Sequence, residues 1–247
     1  MKPMSFSTVL AAFTITSFAS SGCGSTIKAD TTGFAVVELY TSEGCSSCPP
    51  ADALVAKLLN TYKENVYVLG FHVDYWNYIG WKDNFSNAAY SLRQQQYKNV
   101  FQLNSVYTPQ VVVNGTAQFV GSNEGRLRGA IEQNLKQPAA AIIHLTARND
   151  GNNINVTYKI NTSPVELNIA LVQAHAETTV QRGENAGKFL QHTNVVRDFK
   201  TVDLKNSQSN INFILPNDLH ANDCKVIAFL QDVNSLKIIG AAQVRIE

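Results

Sequence analysis

Glu38-Leu39-Tyr40-Thr41-Ser42-Glu43-Gly44-Cys45-Ser46-Ser47-Cys48-Pro49-Pro50-Ala51-Asp52 is the stretch on which the reading of this chain turns. Val36 to Thr41 is a run of apolar, β-branched and aromatic residues, the mark of a buried strand. Ser42-Glu43-Gly44 reads as a turn. Pro49 and Pro50 fit only the first turn of a helix, where a missing N–H costs nothing. Leu54, Val55, Leu58 and Leu59 then recur at helical spacing up to about Tyr62. Cys45 and Cys48 therefore sit where a strand ends and a helix begins. A thiolate is the nucleophile of disulfide exchange. At a helix start the dipole and the free N–H groups stabilise S⁻ on Cys45. Cys48, one turn on, is placed to resolve a mixed disulfide.

Working outward, Val66 to Val73 predicts a second buried strand and Asp74 to Asn84 an aromatic, polar loop. Ser86 to about Val100 predicts a helix with Ser86 as its cap. Gln110 to Val113 and Thr116 to Val120 read as a hairpin about Asn114-Gly115. Ser122 to Lys136 predicts a helix, with Leu127, Ile131 and Leu135 four residues apart. The order strand, helix, strand, helix, hairpin, helix implies a small sheet covered by helices, parallel in its first pair and antiparallel at the hairpin.

Gln137-Pro138 breaks this pattern. Beyond it the texture is one of short alternating strands: Ile142 to Ala147, Ile154 to Ile160, Leu167 to Ala176, Ile211 to Leu215, Lys225 to Leu230 and Ile238 to Ile246. These predict an antiparallel β-sandwich. The expected organisation is residues 1–22 as a signal peptide, 23–33 as a linker, 34–137 as an α/β domain and 138–247 as the sandwich domain.

The N-terminus reads as an export address. Lys2 precedes the apolar stretch Ser7 to Ala19, too short for a membrane span and followed by small residues. Two cuts are possible: an ordinary small-residue site near Ala19-Ser20-Ser21, which would leave a secreted protein, or one before Cys23, since Ser20-Ser21-Gly22-Cys23 resembles a bacterial lipobox with Ser20 where Leu is usual and would leave Cys23 as a lipidated N-terminus. The expected location is the bacterial periplasm or cell envelope, where disulfides persist. Contact with a membrane is expected only through that lipid anchor, since no later apolar run approaches the ~20 residues a span needs. Across 247 residues, 20 Lys+Arg balance 19 Asp+Glu, which offers no electrostatic footprint for nucleic acid. Apolar residues are 45% of the chain, enough for a core and against disorder.

The segment Val36 to Leu59, with Thr108-Pro109 downstream, resembles the thioredoxin superfamily. The quoted stretch resembles more closely the bacterial secreted proteins grouped as domain of unknown function 1223. Further matches are Phe71-His72-Val73-Asp74-Tyr75-Trp76, Gly80-Trp81-Lys82-Asp83 and Tyr107-Thr108-Pro109-Gln110. Arg182-Gly183-Glu184-Asn185 and Asn194-Val195-Val196-Arg197 match in the second half. The resemblance implies a thioredoxin-like βαβαββα domain followed by the antiparallel β-sandwich. It implies Cys45 as attacking thiol, Cys48 as resolving thiol and Pro109 as a cis proline facing them. It implies Thr108 as a backbone edge for an extended peptide and Glu38 as a buried acid near the resolving thiol. His72, Asp74, Trp76 and Trp81 would line a substrate groove.

Three functions follow. The first is thiol–disulfide exchange with exported protein thiols or disulfides and a redox partner protein, needing no cofactor. The second is a binding protein with a static disulfide. The third is copper(I) delivery by the reduced pair, with His72 the nearest further ligand. Ser46-Ser47 matches neither the reducing nor the oxidising extreme of such pairs, so it does not separate oxidant, reductant and isomerase. Cys224 reads as a small buried hydrophobe. His144, His175, His192 and His220 show no ligand spacing and carry no assignment.

Overall fold

The computed structural model describes Met1 and residues 32–162, 165–204 and 206–247. The expected signal peptide and Cys23 lie outside the described residues. Among the described residues, eleven strands and three α-helices follow in the order β1 (Ala35–Thr41), α1 (Pro49–Tyr62), β2 (Val66–His72), α2 (Ala88–Val100), β3 (Gln110–Val113), β4 (Ala117–Val120), α3 (Glu124–Leu135), β5 (Ile143–Asp150), β6 (Asn153–Ile160), β7 (Glu166–Thr179), β8 (Phe189–Asp203), β9 (Gln208–Ile214), β10 (Cys224–Gln231) and β11 (Ile238–Arg245).

The α1 span matches the sequence reading, with both prolines in the first turn. The second helix starts later than expected, because Asn87 and not Ser86 is its cap: the Asn87 side chain accepts the Ala89 N–H. The β3–β4 hairpin has a longer loop than the two residues expected. Val113 pairs with Ala117, which leaves Asn114 to Thr116 in the turn. Asn114 (φ 46°) and Gly115 (φ 66°) take up the left-handed geometry there.

β1 and β2 are parallel, β3 is antiparallel to β1, and β4 closes that edge. Alternation along β1 decides what each face carries. Ala35, Val37 and Leu39 face α1 and α3, packing with Leu54, Leu58, Leu127 and Ile131. Val36 and Tyr40 face the other way, against Tyr90 and Tyr97 of α2. The second half builds a three-stranded sheet, β5-β6-β9, whose apolar side covers Leu167, Ile169, Leu171, Val226 and Ala228 of β7 and β10. Two sheets thus pack face to face, as a sandwich does.

The expected separation at Pro138 does not extend to the sheets. Strand order β11-β10-β7-β8-β2-β1-β3-β4 runs unbroken through both halves. The bridge is β8, 15 residues long and antiparallel to β7, which lies beside β2 and parallel to it. Sequence reading left Phe189 to Asp203 without a strand because its apolar residues are sparse and interrupted. At the seam Asn194 takes φ 55° and its side chain donates to the Val68 carbonyl, in place of a regular ladder bond. Gly70 has the Thr193 and Asn194 carbonyls 3.4–3.5 Å from where a Cβ would stand, so the strand crossing is tight.

A buried ion pair ties the halves together. Arg93 of α2 donates through Nε to Glu38 Oε2 (2.6 Å) and through Nη2 to Glu38 Oε1 (3.0 Å) and to Gln231 Oε1 of β10 (3.1 Å). Removing one member of a buried pair strands the other charge, at a cost of about 3–5 kcal/mol. Arg93→Met is therefore expected to lower unfolding free energy by about that amount in a urea titration. Lys57→Ala, which breaks the exposed pair with Glu124, is expected to leave the urea midpoint nearly unchanged.

Candidate functional site

Residues 42–48 turn from β1 into α1, and both cysteines lie within this turn. Cys45 N–H donates to the Ser42 carbonyl (3.1 Å) and Cys48 N–H to the Cys45 carbonyl (3.2 Å). Cys48 is itself the N-cap of α1. The Thr108–Pro109 peptide is cis, and the Cys45 thiol lies 3.8 Å from the Thr108 carbonyl. Trp76 holds that segment from the other side, its Nε1 donating to Thr108 Oγ1 (2.8 Å).

The two thiols are electrostatically unequal. Cys45 is lowered from 9.0 to about 7. The largest cause is the hydrogen bond from the Cys48 thiol, opposed by burial and helped by Thr108 and the amides of Ser47 and Cys48. Cys48 is pushed far up, first by burial and then by its neighbour Cys45. One sulfur is thus an ionisable nucleophile at neutral pH and the other a stored proton. Both are free cysteines, and Cys45 itself is only 2% exposed.

Glu38 is not the acid beside Cys48. Glu38 alternates onto the α2 face of β1, where Tyr40, Arg93 and Tyr97 bond to it. The carboxylate on the cysteine side is Asp52, one turn beyond Cys48 on α1. Asp52 Oδ2 accepts from Thr41 Oγ1 (3.0 Å). The helical spacing of four from Cys48 to Asp52 was the signal available in the sequence.

Behind the thiols lies a buried polar cluster. His72 Nδ1 is 2.7 Å from Asp83 Oδ2, and that carboxylate also accepts the Glu43 and Phe85 amides. Asp83 is held below the ordinary carboxylate range: burial opposes, and His72 and the two amides outweigh it. Trp81 Nε1 donates to Glu43 Oε2 (2.7 Å). His192, reaching in from β8, has Nδ1 3.1 Å from Asp52 Oδ1. Of the four residues expected to line a groove, Trp76 and Trp81 border this site. His72 is buried beneath it, tied to Asp83, and contributes no surface. Asp74 is engaged by Ser91 of α2 and turns away.

The tip of the β7–β8 hairpin caps the cysteine turn. Asn185 Nδ2 donates to the Glu43 carbonyl (2.8 Å) and the Cys45 carbonyl (2.9 Å). Glu184 accepts the Ser46 N–H (3.0 Å). Gly183 (φ 80°) brings this tip against Ile79 and Trp81. Asn185 and Glu184 stand in a segment the sequence singled out, but their contact with the turn follows only from the long hairpin. Among the described residues, no group of three or more His, Cys, Asp or Glu side chains is arranged to hold a metal ion.

The model of the family described as protein of unknown function, DUF1223, matches residues 36–231. Among solved structures, a crystal structure of a protein from Agrobacterium tumefaciens is similar at 25% identity and TM-score 0.67, over 85% of this chain and 93% of that one. HBP35 of Porphyromonas gingivalis shares the fold at 17% identity and TM-score 0.58, over 87% of this chain and 76% of that one. No curated protein gives a significant match.

The inequality of the thiols has a direct readout. In the reduced protein, thiolate ultraviolet absorbance is expected to show one titration with a midpoint near 7. Cys45→Ser should abolish it. Because the folded value of Cys45 lies below its unfolded value, its contribution to stability is absent in acid and grows as pH rises through about 7 toward 9. A single midpoint near 9 would contradict this geometry.

Proposed function

The chain belongs to the family of unknown function DUF1223, and we propose that this member is a thiol–disulfide oxidoreductase acting through Cys45 and Cys48. The observation that carries the reading is the pairing of a nucleophile lowered to about 7 with a neighbouring thiol held protonated, at a helix start. The β1-α1-β2-α2-β3-β4-α3 succession with sheet order β2-β1-β3-β4, and the cis Thr108–Pro109 beside Cys45, support a thioredoxin-like unit within the larger sheet. In this reading Cys45 attacks, Cys48 resolves, and Asp52 takes the place expected of Glu38 as proton acceptor. Thr108 and Trp76 form the edge along which an extended peptide lies. The physiological setting is the bacterial envelope, with Cys23 as lipid anchor and exported proteins as substrates.

The near-complete burial of Cys45 favours a second reading, a binding protein whose cysteine pair is a static disulfide. Reduction potential separates the two. Equilibration against glutathione buffers is expected to give a value between about −120 and −270 mV, and a value below about −300 mV would move the assignment to the static pair. In parallel, Cys48→Ala is expected to accumulate mixed disulfides through Cys45 that dithiothreitol releases.

A further inference from the structure

We propose that His192 positions the Asp52 carboxylate that takes the proton from Cys48, and that the cavity between α1 and the β7–β8 hairpin is the route by which this proton reaches solvent. The proposal rests on the redox reading above and extends it to a residue 144 positions beyond Cys48 in the chain.

Three observations carry it. First, one carboxylate joins the helix of the resolving thiol to the hairpin: Asp52, one turn beyond Cys48 on α1, accepts at Oδ2 from Thr41 Oγ1 (3.0 Å) and has Oδ1 3.1 Å from His192 Nδ1. Second, His192 is buried with Nε2 unpartnered, as is Glu43 Oε1, and the two stand 3.7 Å apart, too far for a hydrogen bond. Buried polar atoms left unpaired are uncommon, and they gather at working sites. Third, Cys48, Asp52 and His192 all line one cavity of about 410 Å³, walled by Ala53, Leu190 and Phe189. Phe189 is itself more than half exposed, so the cavity meets the surface at the hairpin arms.

The charges around His192 explain its part. Asp52 faces it from α1 and Glu43 from the turn after β1. His72 of β2 stacks edge-on at 4.7 Å, with Asp83 behind it, and Cys48 lies beyond Asp52. Burial disfavours an imidazolium, yet the two carboxylates outweigh it and raise His192 from 6.5 to about 10. The cation stands between the two buried carboxylates. Its Nδ1–H occupies one oxygen of Asp52 and leaves the other to accept from Thr41.

In the reducing direction the atoms balance as follows. The Cys45 thiolate attacks a substrate disulfide; a Cys45–substrate S–S bond forms, the substrate S–S bond breaks, and the first substrate thiolate takes a proton from solvent. Cys48 then gives its proton to Asp52, one turn along α1. The Cys48 thiolate attacks Cys45, the Cys45–Cys48 bond forms and the second substrate thiolate leaves, taking up a proton. The proton on Asp52 departs through the cavity. Two electrons pass from the cysteine pair to the substrate. Of the two protons the products gain, one is matched by the proton that Cys48 releases through Asp52 and the other by the proton that Cys45 gave to solvent when it ionised.

Ellman's reagent reads the two steps separately, because attack by Cys45 and resolution by Cys48 each release one thionitrobenzoate. The reduced mature protein is compared with His192→Gln and with Ala53→Trp, which narrows the cavity from the exposed face of α1. His192→Gln is expected to slow the second release about tenfold at neutral pH, a fraction of what general acid–base catalysis supplies, and to leave the first within about twofold. Because His192 is the cation that faces both carboxylates, its loss should change the pH profile of the second release and leave that of the first unchanged. Ala53→Trp should slow the second release with its pH profile unchanged. An unchanged second release in His192→Gln, or equal slowing of both, overturns the positioning role. An unchanged second release in Ala53→Trp overturns the exit route. Absence of any second release from the wild-type protein instead overturns the redox reading itself, and the proposal with it.

Discussion

The Glu38–Arg93 ion pair is the constraint around which the molecule is arranged. A guanidinium and a carboxylate buried this completely are tolerable only if every polar atom finds a partner. The fold meets that condition by drawing in Tyr40 from β1, Tyr97 from α2 and Gln231 from β10, with Asn168 of β7 bonded to Gln231 in turn. The arginine is also enclosed by aromatic rings, with Phe71, Tyr97, Phe199 and Phe229 between 5.1 and 5.9 Å from its central carbon. These rings come from β2, α2, β8 and β10. Satisfying one charge therefore requires both halves of the chain, and this gives a physical reason why the large sheet does not end where the α/β pattern does.

The same alternation that sends Glu38 toward Arg93 sends Thr41 and the cysteine turn to the opposite face. The molecule thus separates two polar networks by one sheet. On one side, charges are locked in a fully bonded cage. On the other, Glu43 and the two histidines keep unpaired atoms, and one of them, His192, lines a cavity. A closed network stabilises; an open one can change protonation without unfolding the protein.

Much of this was legible in the chain. Proline at the first turn, the apolar run before it and the spacing of Leu54 and Leu58 place α1 and the cysteines without a structure. In the second half β5 and β6 follow from alternation, with one face on a core, while β7 and β10 read as apolar runs because both faces are buried. Three things were not legible. The strand β8 carries His192, Asn194 and Arg197 where a pattern would want apolar residues, because its polar side chains serve the seam and the cluster instead of a hydrophobic face. Assigning Glu38 to the thiols failed for a related reason. The sequence shows that an acid lies on β1, and only the register with α2 and β10 shows which face of the sheet it serves. His192 has no local signal at all, since its partners stand about 140 residues earlier.

The cap that Asn185 and Glu184 place over the cysteine turn has a temporal consequence. Chains are made N-terminus first, and domains fold as their residues emerge. Here the contacts that fix the turn span 138 to 142 residues of sequence. Until the β7–β8 hairpin has been made, the turn lacks this cap, while the groups that lower Cys45 all stand earlier in the chain: Cys48, Thr108 and the Ser47 amide. The chemistry of the pair comes from the first half, and the cover over it is what the second half adds.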